Sequence, residues 1–261
     1  MTPRTSDQAR ILPTSVAPAR RGYFYLSSRP LHILLFLLPV VIAAELGTLG
    51  LGGERIADQL AAHQMLIRFF DLFGVLGLHL PALAIVATLI VQHILNRDRW
   101  RIEPIVPAAM VVESAFLTGP LLILVLVLQS SPPAVAGIDD AVLATRSGVL
   151  LALGAGLYEE VLFRLVLITA VHFVAADLIR VPDNGAKILA ITVSATLFTL
   201  HHNLDPTASG TINPRLAAFF FLAGVYFGIL FLARGLGIAV GVHAIYDLLV
   251  LVVMPGFADS E

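Results

Sequence analysis

The sequence predicts an all-α fold: a polytopic transmembrane helical bundle of about seven helices, with eight as the alternative count. Three observations predict it. Hydrophobic residues make up 58% of the 261 and charged residues only 13%, roughly half the charged share of an ordinary soluble domain. Mean hydropathy is +0.90, and a soluble fold so apolar would expose surface that only a bilayer solvates. The apolar residues are also gathered into runs near the length of about 20 residues that a spanning helix needs.

Residues 1–30 hold Arg4, Arg10, Arg20, Arg21 and Arg29, several prolines and few large apolar residues. They read as a flexible basic cytoplasmic tail. A secretory signal peptide fits less well, because the charged region is long and no small-residue cleavage site precedes a soluble domain. The transmembrane domain occupies 31–253, with apolar runs at 31–49, 66–95, 105–128, 147–176, 186–202, 216–232 and 236–253. Turn-rich pieces separate them at Gly50–Asp58, Asn96–Glu103, Ser130–Asp140, Val181–Gly185 and Asn203–Pro214. The 66–95 and 147–176 runs are long enough to include an interfacial segment. Pro39, Pro81 and Pro120 are expected to kink or begin spans. Residues 254–261 form a short tail with Asp259 and Glu261.

Loop charges give an orientation. With seven spans and a cytoplasmic N-terminus, the inner side collects the tail arginines, Arg97, Arg99, Arg101, Arg180, Lys187 and Arg234. The outer side keeps Arg55, Arg68, Arg146 and Arg215. The positive-inside rule favours this arrangement, with the chain expected in a prokaryotic inner (plasma) membrane. A net charge of −2 and the lack of any basic stripe argue against a nucleic-acid partner. The absence of cysteine removes disulfides, thiolate metal sites and cysteine catalysis.

Ionisable residues at membrane depth are costly, so each calls for a partner or a role. The densest group is Tyr158-Glu159-Glu160-Val161-Leu162-Phe163-Arg164. Glu160 and Arg164 are four apart and share a helix face, which suits an ion pair. Glu159 is turned about 100° from Glu160 and left without a local counter-charge; the plain structural alternative is a buried ion-pair network that locks helix packing. A second group ends the fifth run, Phe198-Thr199-Leu200-His201-His202. The third is His243-Ala244-Ile245-Tyr246-Asp247, in which Asp247 lies one turn from His243 and can orient its ring. Alternating span directions bring all three groups towards one cavity in the outer half of the bundle.

A carboxylate beside a neutral histidine can deprotonate water and return the proton to a leaving amine. A second histidine with an Asp can stabilise an oxyanion. Equally, Glu159, His202 and His243 together would hold a zinc with water at the open position, and the sequence leaves these two readings open. Other intramembrane hydrolase designs are absent: there is no His-Glu-x-x-His, no Gly-x-Ser-Gly and no Gly-x-Gly-Asp in the spans.

Glu159-Glu160-x-x-x-Arg164, Phe198-x-x-x-His202 and His243-x-x-x-Asp247 resemble, in order, the three motifs of the CPBP intramembrane proteases. That family takes in the eukaryotic CAAX prenyl endopeptidases of the Rce1 type and the bacterial Abi proteins. The resemblance covers roughly residues 145–253, a catalytic core within the transmembrane domain, and the first three spans carry no matching motif. It implies that Glu159 is the general base for water, aided by His202. It also implies that His243 and Asp247 form the oxyanion-stabilising side, and that Glu160 and Arg164 support the site. It favours a glutamate-type, metal-free reaction with no cofactor, zinc being the alternative. The third motif often ends in Asn; Asp247 departs from that and, when ionised, cannot donate to an oxyanion, so it is left to orient His243 or to stay protonated. His201 is an extra histidine, expected to be interfacial or to support its neighbour, and Phe198 is a supporting residue.

Outside the motifs, Glu45 and Glu113 are expected to be structural, pairing with Arg68, Arg164 or each other. His79, His93 and His172 are expected to make packing hydrogen bonds. The function expected is an endopeptidase acting on a membrane-anchored peptide or protein, with the lipid bilayer as its other partner. The competing readings are a proton-coupled transporter, since intramembrane Glu, His and Arg also build proton relays, and a non-catalytic adaptor or immunity protein of the same fold.

Overall fold

The computed structural model describes residues 22–49, 60–128, 146–204 and 211–253. The basic tail up to residue 21, the turn-rich pieces at 50–59, 129–145 and 205–210, and the terminal 254–261 lie outside the described residues. Every described element is a helix: α1 Tyr23–Ser27, α2 Pro30–Thr48, α3 Ala61–Asp71, α4 Leu80–Leu95 and α5 Ile105–Leu128 come first. Then α6, Arg146–Glu160, continues as one rod through a π-helical stretch Val161–Ile168, α7 Thr169–Phe173 and a second π-helical stretch Val174–Leu178. The remaining helices are α8 Asp183–His201, α9 Pro214–Arg234 and α10 Leu236–Leu248, the last prolonged by a π-helical turn Leu249–Val253.

Local chemistry explains several boundaries. Pro30 opens α2 and Pro214 opens α9, where a missing N–H costs nothing. Asn213 caps α9 by accepting from the backbone N–H groups of Arg215 and Leu216. Gly235, at φ +82°, lets α9 turn directly into α10. The long 66–95 run breaks as the sequence allows, into α3 and α4 joined by a turn through Gly74 at φ +72°. Pro39 and Pro120 sit inside α2 and α5, and Pro81 lies in the first turn of α4.

Among the described residues four helices are long and apolar enough to cross a membrane: Pro30–Gly47, Ile105–Leu128, Gly148–Leu178 and Pro214–Arg234. Leu80–Leu95 and Leu236–Val252 are shorter apolar helices. The bundle's outside is correspondingly greasy, with Phe116 79% and Val127 74% exposed on α5. Such a surface belongs in lipid, and the chain is a helical membrane bundle.

Small residues set the helix register. A Cβ on Gly156 would lie 2.8 Å from the Ala244 nitrogen, and one on Gly224 would lie 2.9 Å from the Ala195 Cα. So α6 meets α10, and α9 meets α8, almost backbone to backbone, the close approach that small residues permit in membranes. The first α2 residues also face the first α10 residues, Gly237 lying against Ile33 and Met110, and Gly241 against Phe36 and Ser114. Thus α2, α5 and α10 run in parallel at the centre.

The acids of the first spans find partners other than those expected. Glu45 accepts from the Tyr158 hydroxyl at 2.8 Å and pairs with His79, not with Arg68 or Arg164. Glu113 pairs with Arg234 at 2.6 Å and accepts from Tyr23; burial and that bond push the Tyr23 hydroxyl up to about 12. Both acids are paired, and the partners come from distant helices that local spacing does not reveal. His172 pairs with Asp183 at 3.0 Å. His93 departs from expectation: it is buried, and neither ring nitrogen has a hydrogen-bond partner among the described residues.

Candidate active site

The contact of Gly156 with α10 carries the two following acids to the level of His243. The end of α6 then turns them apart. Glu160 points into the bundle and is fully buried. Its Oε1 lies 3.0 Å from Arg164 Nη1, the ion pair that their spacing predicts, and 2.8 Å from His243 Nδ1. Arg164, equally buried, lies over the Phe198 ring at 4.3 Å and the Phe227 ring at 5.0 Å. Aromatic faces suit a guanidinium taken out of water. Arg164 itself lies in the π-helical stretch Val161–Ile168, a backbone variant that gathers at functional sites.

Glu159 faces the other way, towards the end of α8. Its Oε2 is 3.8 Å from Nε2 of His202 and 3.8 Å from Nε2 of His243. Its Oε1 is 3.8 Å from Nε2 of His201. These separations are too long for direct hydrogen bonds and suit one bridging water. Oε2 has no hydrogen-bond partner among the described residues although it is shielded from solvent.

The other nitrogen of the His202 ring and of the His243 ring is committed. His202 Nδ1 lies 2.8 Å from the Phe198 carbonyl. A carbonyl only accepts, so Nδ1 carries the proton and Nε2 of a neutral ring presents a lone pair towards Glu159. The His202 ring stacks on Phe220 at 3.9 Å and the His243 ring on Phe227 at 4.7 Å, which fixes both planes. Glu159, His202 and Asp247 side chains keep 13%, 21% and 16% of their exposure, so the group is shielded yet reachable from one side.

Asp247 and His201 each take a definite place around Glu159 and His243. Asp247 Oδ2 lies 3.5 Å from His243 Nε2, on the nitrogen that faces Glu159, so Asp247 does not hold the far side of the ring. Glu160 does, because it reaches Nδ1 across the helix interface. His201 is not merely beside the group, since it stands as far from Glu159 as His202 does. Sequence reasoning also missed Phe220, Phe227 and Gly156. The only signals for them are the Phe219-Phe220-Phe221 run and a small residue three places before Glu159.

The zinc alternative can be tested on this geometry. With bonds of about 2.0–2.1 Å, tetrahedral ligand atoms stand roughly 3.3–3.4 Å apart, closer than the 3.8 Å gaps around Glu159. No group of three His, Asp or Glu side chains among the described residues is arranged to hold a metal ion. The residues as placed do not form that site.

Residues 142–249 fit the family model described as type II CAAX prenyl endopeptidase Rce1-like. No curated protein and no solved structure matches the chain. The matched segment contains Glu159, Glu160, Arg164, Phe198, His201, His202, His243 and Asp247. This match to an Rce1-like CAAX prenyl endopeptidase family over residues 142–249 agrees with the three motifs that the segment contains.

Proposed function

We propose that this protein is an intramembrane endopeptidase that hydrolyses a peptide bond of a membrane-associated peptide or protein with water activated by Glu159. The observation that carries the reading is the position of Glu159 Oε2, 3.8 Å from Nε2 of both His202 and His243. A water between them would lose a proton to Glu159, assisted by the His202 lone pair, as its oxygen attacks the scissile carbonyl carbon. An imidazolium His243 would hold Nδ1–H on Glu160 and donate Nε2–H to the oxyanion, displacing its contact with Asp247. The carbon–nitrogen bond then breaks, and the proton held by Glu159 passes to the leaving amine. Glu160 and Arg164 position His243 and do not touch substrate. Residues 145–253 form the catalytic core on this reading. No metal enters any step.

Loop charges put the N-terminus in the cytoplasm. Tyr158, next to Glu159, bonds Glu45 near the C-terminal end of α2, which supports a site opening towards the outer half of the membrane. The test is cleavage of a membrane-anchored peptide by purified protein in bilayers. Glu159→Gln and His202→Ala should each lose activity by about 100-fold or more, the scale of a general base; full activity in both variants overturns the reading.

A further inference from the structure

A second site lies at the other end of α2. The start of α2, the end of α4 and the loop into α5 enclose a cavity of about 750 Å³. Arg29, Arg99 and Arg101 line it, together with His32 and His93. His32 and Glu45 are thirteen residues apart on one helix, so this cavity is roughly 20 Å from the Glu45–Tyr158 contact beside Glu159. It is separate from the proposed catalytic group.

Both histidines are buried, at 4% and 2% exposure. His32 Nε2 accepts the Glu103 backbone N–H at 3.4 Å, so a neutral His32 carries its proton on Nδ1. That Nδ1 is buried and unpartnered among the described residues, as are both ring nitrogens of His93. A buried donor without an acceptor costs about 1–3 kcal/mol. These two histidines line the cavity with ring nitrogens that are buried and unsatisfied by any described residue. At its mouth Arg99 and Arg101 are exposed and form no ion pair with a described residue. Asp98 and Glu103 also line the cavity, and Asp98 faces Arg29 at 3.5 Å, so three arginines against two acids leave the lining with a net positive charge of one.

Beside these groups stand apolar side chains open to the surroundings. Trp100 is 66%, Ile102 56% and Ile105 71% exposed, and Leu95 reaches 74%. Trp100 packs edge-on against His93 at 4.3 Å. Tryptophan beside arginine at the end of apolar helices marks a membrane–water interface. The ligand this combination suits is amphiphilic: an anion for the arginines, and a tail for the apolar rim.

We propose that this cavity binds the phosphate of an anionic phospholipid headgroup, with the acyl chains lying along Leu95, Ile102 and Ile105. Basic pockets between spans are a known way to hold such headgroups. The experiment uses the full chain in detergent, with phosphatidylglycerol, phosphatidylcholine and inorganic phosphate as probes, reading lipid retained by native mass spectrometry and the shift in thermal unfolding. Phosphatidylglycerol should be retained and raise the unfolding temperature, whereas phosphatidylcholine and inorganic phosphate should not. The Arg99→Ala/Arg101→Ala variant should weaken phosphatidylglycerol binding by about tenfold or more, while removing Arg68 and Arg215 instead should leave it unchanged. Because both arginines are exposed, the variant is expected to fold, and its own unfolding transition checks that. His93→Phe, which keeps a ring against Trp100, should weaken binding in the same direction. Equal retention by the arginine variant, an equal effect of the Arg68/Arg215 pair, or an equal response to inorganic phosphate would each overturn the lipid site.

Discussion

Glu160 Oε1 and His243 Nδ1 lie 2.8 Å apart, joining two helices at positions 83 residues apart in the chain. The same oxygen holds Arg164 at 3.0 Å. One carboxylate thus neutralises a buried guanidinium and fixes which nitrogen of His243 turns towards Glu159. This makes Glu160 the hinge between stability and site geometry, while Oε2 of its neighbour Glu159 has no hydrogen-bond partner among the described residues.

Removing that carboxylate should cost more than removing the pair. Glu160→Ala leaves Arg164 buried without a counter-charge, and the expected loss is about 3–5 kcal/mol. Glu160→Ala/Arg164→Met should be less destabilised than Glu160→Ala alone. Denaturant unfolding in micelles measures both, and a double variant no better than the single would deny the coupling.

Helix contact at Gly156 is the second lever. Gly156→Ala drives a methyl into the Ala244 backbone, at an expected cost of about 1–3 kcal/mol. It should also lower the cleavage rate by separating Glu159 from His243. Gly119→Ala, on α5 with nothing within 4 Å, should change neither unfolding nor rate.

Asp247 sits on the donor side of His243, 3.5 Å from Nε2. If its part is to share that proton, Asp247→Asn should keep the cleavage rate within about tenfold, since an amide oxygen still accepts. His243→Ala should lose about 100-fold or more. Rates measured with one peptide reporter decide it; a collapse in Asp247→Asn would give the charge itself a role.

Metal removal gives an independent check. Protein dialysed against a strong chelator should keep its peptidase activity, and elemental analysis of active protein should find well under one zinc per chain. Loss of activity that zinc alone restores would replace the glutamate mechanism with a metal one.

The proposed sidedness rests on the charge count and is measurable because the chain has no cysteine. Asn203→Cys, just beyond His202, should react with an impermeant thiol reagent added outside sealed cells. Labelling only after the inner face is exposed would reverse the orientation.

The sequence by itself determined whatever depends on distance along one helix. Apolar length announced the spans, and the four-residue step from Glu160 to Arg164 announced their ion pair, because 3.6 residues per turn puts both on one face. The order of the three motifs also named the residues that meet. The tertiary structure decided which way each helix is rotated about its axis. A soluble helix declares its inner face by an apolar stripe, but a span in lipid is apolar all round and declares none. Hence Glu160 rather than Asp247 holds His243 Nδ1, Glu45 answers Tyr158, Glu113 answers Arg234, and His93 faces a cavity. Each of these rests on close contacts such as Gly156 on Ala244, where packing between spans, not the pattern within one, fixes the register.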